Sequence, residues 1–76
     1  MSKITGLVPQ EDYRLEVRLD NGSSVTLNLE SRLQTIRFGM LADKELFKRA
    51  VTDGSYIRWD GKVEISINEL FQLAQK

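Results

Sequence analysis

Apolar and polar positions alternate with a period of two through residues 13–29, YRLEVRLDNGSSVTLNL. Tyr13, Leu15, Val17 and Leu19 interleave with Arg14, Glu16, Arg18 and Asp20; beyond Asn21-Gly22, Val25, Leu27 and Leu29 interleave with Ser24, Thr26 and Asn28. Two such runs around Asn-Gly predict a β-hairpin. Parity selects its register, because cross-strand partners share a sheet face. A two-residue loop would set Val17 against Thr26 and mix the faces. A three-residue loop, Asp20-Asn21-Gly22, sets Val17 against Val25, Leu15 against Leu27 and Tyr13 against Leu29. It also puts Gly22 at the left-handed position of a type I turn with a G1 bulge, where a missing Cβ removes the steric cost. The opposite face then carries Arg14 beside Asn28, Glu16 beside Thr26 and Arg18 beside Ser24.

Elsewhere the pattern predicts a first strand from Lys3 to Val8, with Gly6 a bulge position and Pro9 its end. Gln10-Glu11-Asp12 form a polar turn. A short helical segment over residues 30–35 follows, with Asn28 or Ser31 as its cap and Leu33 inward. The apolar stretch 36–41 has no clean period and reads as a loop against the core. Asp43 caps a helix over 44–51, whose Leu46, Phe47 and Ala50 share one face. A second hairpin pairs 56–59 with 62–65 around Asp60-Gly61, and parity again disfavours a two-residue loop. Ser66 and Glu69 have capping-box spacing before a helix over 67–75 with the stripe Ile67, Leu70, Phe71 and Ala74. The whole is an α+β domain: an antiparallel sheet built on two hairpins (strands 3–8, 13–20, 23–29, 56–59 and 62–65), with the helices packed on one face.

At 76 residues the chain makes a single domain, residues 1–76, with a small core. Eleven basic and eleven acidic residues cancel, so no global field draws in nucleic acid or an anionic membrane. Cysteine and histidine are absent. That removes disulfides, a thiol nucleophile, the usual general base and the commonest metal ligands. No signal-peptide run or membrane-length segment occurs, and a cytoplasmic location is expected. No cofactor is expected, and the chain is not expected to be an enzyme.

Pro9, Tyr13-Arg14-Leu15, Asn21-Gly22, Asn28-Leu29, Phe38, Leu41, Phe47, Trp59 and Glu64-Ile65 stand in an order that spans nearly the whole chain. This order resembles the small bacterial family called domain of unknown function 2442. The chain departs from that pattern at Asn28, where an Asp is usual, at Trp59-Asp60-Gly61, which lacks a proline, and at Ile67, where a proline is common. The resemblance implies stand-alone small proteins or domains fused to a DNA-binding helix-turn-helix, some encoded beside another small protein. With no such helix-turn-helix before residue 76, DNA contact through a fusion is not expected.

Phe38 and Met40, beside Gly39, form either a binding loop or the floor of the core. Trp59 is either an interface anchor or a cap on the core with its indole N–H in solvent. Arg14 and Arg18 share a strand face and are candidates for phosphate contact, against which stand the intervening Glu16 and the zero net charge. Phe38, Met40, Trp59, Arg14 and Arg18 are thus the candidate interaction surface. The expected function is a non-enzymatic protein-interaction or regulatory module, in its most specific form the antitoxin-like half of a two-protein system. The alternatives are a small-ligand-binding or sensor domain and, behind it, a nucleic-acid-binding accessory protein. A homodimer or a complex with a small partner protein is expected, through a sheet edge or the Phe38–Met40 segment.

Overall fold

The long hairpin forms in the register that parity selects. In a computed structural model that describes residues 3–74, β2 (Arg14–Leu19) and β3 (Ser24–Asn28) pair Leu15 with Leu27 and Val17 with Val25. The Gly22 N–H donates to the Leu19 carbonyl at 3.1 Å, and Gly22 has φ +88°. Tyr13 is not part of the strand. It belongs with Glu11 and Asp12 to a 3-10 turn, although its carbonyl still accepts from the Leu29 N–H at 2.9 Å.

Strand β1 (Ile4–Gln10) runs antiparallel to β2 and continues through Pro9, which pairs with Leu15. Pro9 therefore does not end the strand. β1 is an edge of its sheet, where a residue without an N–H loses no ladder bond. The register shifts between Ile4 and Gly6, the bulge expected at this glycine. Residues 30–35 give only a 3-10 turn, Glu30–Arg32, opened by the Asn28 side chain accepting from the Glu30 N–H at 2.9 Å.

Helix α1 (Lys44–Phe47) starts where Asp43 accepts from the Glu45 N–H at 3.0 Å, but it is one turn long and does not reach residue 51. Val51–Thr52 form a strand instead, β4, pairing with Arg58 and Ile57 of β5 (Tyr56–Trp59). Both residues of β4 are β-branched, which suits a strand better than a helix end. β6 (Val63–Ser66) completes this sheet, with Ile57 opposite Ile65 and Trp59 opposite Val63. Asp60 and Gly61 both have positive φ, +55° and +68°, and the Lys62 N–H donates to Trp59. Helix α2 (Ile67–Ala74) follows directly, and Ser66 accepts from the Glu69 N–H at 3.2 Å as its cap. Residue 75 of the expected helix lies outside the described residues.

The fold is α+β, with its strands divided between two three-stranded antiparallel sheets ordered β1-β2-β3 and β4-β5-β6. The Ile4 N–H donates to Gly54 at 2.9 Å, tying the start of β1 to the turn after β4, and α2 packs on β3. Leu15, Val17, Leu19 and Leu27 of the first sheet join Ile57, Trp59, Val63 and Ile65 of the second in one core, closed by Phe38, Leu41, Phe47 and Leu70. No described helix is long and apolar enough to cross a membrane.

Candidate functional site

Two neighbourhoods combine exposed chemistry with fixed geometry. The first is a surface cleft of about 420 Å3 between the β1–β2 turn and α1, lined by Pro9, Gln10, Glu11, Asp12, Tyr13, Lys44, Phe47 and Lys48. Asp12 and Tyr13 both have left-handed backbone, φ +62° and +60°. For Tyr13 this conformation costs on the order of 1–2 kcal/mol. What holds it there is the tyrosine itself. Its hydroxyl donates to the Ala42 carbonyl at 2.6 Å, and its ring meets Phe47 edge-on with centroids 5.5 Å apart. Glu11 and Asp12 stand on the turn side, while Lys44 and Lys48, one helical repeat apart, stand on the α1 side.

The second neighbourhood is the turn 33–38. Ile36 is fully exposed there, at 103% of its reference surface. Its neighbours are all held. Thr35 Oγ1 donates to the Arg32 carbonyl at 2.7 Å and accepts from the Phe38 N–H at 3.3 Å. Arg37 forks onto the Glu69 carboxylate and also donates to the Glu64 carbonyl of β6 at 2.6 Å. Its guanidinium lies 4.9 Å from the Phe38 ring centre, a cation–π contact. The bond from Arg37, ahead of the Ser66 N–H, holds the Glu69 carboxyl below its ordinary value. Glu69 thus serves the turn more than the helix cap that its spacing predicts.

The five candidate surface residues do not form one patch. Phe38 is buried in the core, and Met40, two residues on, is 42% exposed. The segment is floor at one end and surface at the other. Trp59 is wholly buried, and its indole N–H does not meet solvent: it donates to the Phe47 carbonyl at 3.1 Å. That carbonyl lies at the end of α1, where the helix provides no partner. Arg14 and Arg18 lie exposed on the outer face of β2 with Glu16 between them. Arg18 pairs with Glu16 at 3.0 Å, which divides the positive charge.

The outer face of the second sheet carries an exposed network in which Arg58 bridges Glu64 and Asp53. The Ser55 and Tyr56 N–H groups, then Arg58, pull the Asp53 carboxyl down to about 2. Among the described residues, no group of three or more carboxylates is placed to hold a metal ion.

Ile36, the cleft and the Arg37–Glu69 pair escaped the sequence pattern. Ile36 left one trace, an apolar residue in a stretch that fits neither a helical nor a strand period.

Neither the curated proteins nor the solved structures contain a significant match to the chain. The family described as "Protein of unknown function (DUF2442)" matches residues 4–76, nearly the entire sequence, and the chain belongs to it.

Proposed function

We propose that the chain is a protein-interaction or regulatory module that acts without catalysis and docks through the turn 33–38. The observation that carries this reading is Ile36, an isoleucine presented to solvent between two residues that are bonded down, Thr35 and Arg37. Burying such a side chain in a partner is worth about 1.5–3 kcal/mol. A turn already held in place costs little further ordering on binding. In its most specific form the module is the regulatory half of a cytoplasmic two-protein system, with a small protein as its partner. The test compares tagged wild-type chain with Ile36→Asp in extracts of the native host, reading co-purified proteins by mass spectrometry. A stoichiometric partner held by the wild type and lost by the variant supports the reading. Equal capture by both, or none by either, refutes it.

A small-ligand sensor is the second reading, favoured by the cleft beside Tyr13, whose volume lies within the range of ligand sites. Metabolite-induced shifts confined to residues 9–13 and 44–48 in an NMR titration would support it over the first.

A further inference from the structure

We propose that the cleft of one copy of this chain receives the Ile36 turn of another. This rests on Ile36 being a docking residue, as argued above, and it names a second copy as the occupant. Both halves of the contact are present in one molecule. The knob is Ile36, fully exposed on a braced turn. The socket has apolar surface from Pro9 and Tyr13, with the buried Phe47 ring against Tyr13, and its volume of about 420 Å3 is ample for an isoleucine side chain.

The charges complement one another as well. One wall of the socket is acidic, from Glu11 and Asp12, and the other basic, from Lys44 and Lys48. Beside the knob stand the Arg37 guanidinium and the Glu69 carboxylate, bonded to each other. Docked with Arg37 toward the acidic wall and Glu69 toward the basic one, each of these two groups meets the opposite charge. The cleft is also a firm seat, because the hydroxyl and ring of Tyr13 are fixed by Ala42 and Phe47. Little has to move when a side chain enters.

The experiment is a dilution series of the isotope-labelled full chain, from about 1 mM to about 10 μM, read by amide NMR and by sedimentation. The expected result is concentration-dependent shifts at Thr35–Arg37 and, along the same isotherm, at Gln10–Tyr13 and Lys44–Lys48. Ile36→Asp should weaken association roughly ten- to a hundredfold. Lys44→Glu with Lys48→Glu, which makes both walls acidic, should weaken it without touching the knob. All three residues are exposed, so well-dispersed spectra of both variants serve as the folding control. A strict monomer up to the highest concentration overturns the inference, and so does association that persists in Ile36→Asp or shifts that spare the cleft. A monomer that still captures a partner in extracts through Ile36 would overturn only the second copy as occupant. Loss of both would remove the docking role itself.

Discussion

Replacing Trp59 with Phe probes the centre of the fold. The Phe ring keeps the stacked contact with Phe47, whose centroid is 6.3 Å from that of Trp59. Two things are lost. The first is the second ring of the indole, in a site with no exposed surface. A residual cavity of about 40 Å3, at about 24 cal/mol per Å3, costs on the order of 1 kcal/mol. The second is the N–H bond to the Phe47 carbonyl. Leaving that acceptor unpaired in the interior costs about 1–3 kcal/mol. The sum is about 2–4 kcal/mol, a large part of the stability of a domain this small, and it corresponds to a fall in Tm of roughly 10–30 °C. Urea and thermal melts followed by far-ultraviolet circular dichroism measure it, since the variant lacks the only tryptophan. In the wild type, that tryptophan should be shielded from acrylamide until the protein unfolds. A loss below about 1 kcal/mol, or free quenching of the native state, would refute the packing and the bond as described.

The hairpin turn offers a cleaner comparison. Gly22 has φ +88° and nothing within 4 Å of where a Cβ would sit, so any cost there is backbone strain and not collision. Gly22→Val should lose about 1–2 kcal/mol in urea melts and Gly22→Asn much less, and equal losses would sink the turn assignment. The acid limb of the stability curve tests the carboxylates. Asp53 is depressed to about 2 from 3.8, chiefly by the Ser55 N–H, and Glu69 is lowered by Arg37. Both favour the folded state above their unfolded values, and that contribution is lost as pH falls through the lower folded values. Carboxyl-carbon titration should place the Asp53 midpoint near 2 and that of Glu69 below its ordinary value of 4.5. An ordinary midpoint for either refutes its bonding.

Both hairpins were legible in the sequence because each is decided locally. Alternation over a few residues, a turn glycine and parity leave one register that keeps apolar side chains together, and Val17 opposite Val25 and Ile57 opposite Ile65 follow from it. The caps Asp43 and Ser66 were legible for the same reason, since a cap needs only its own next turn.

What depended on distant residues was decided by the tertiary structure. Helix α1 stops after one turn because Val51 and Thr52 find β5 to pair with, and no local propensity records that partner. Trp59 could be read as surface or interior from its neighbours alone. Phe47, twelve residues earlier in the chain, settles the matter by presenting a carbonyl at the end of α1. The division into two sheets, the cleft beside Tyr13 and the exposure of Ile36 arise in the same way, from contacts between segments far apart in sequence. Arg37 shows the reason most plainly: its bonds to Glu64 and Glu69 span 27 and 32 residues, a range over which hydrophobic periodicity carries no information.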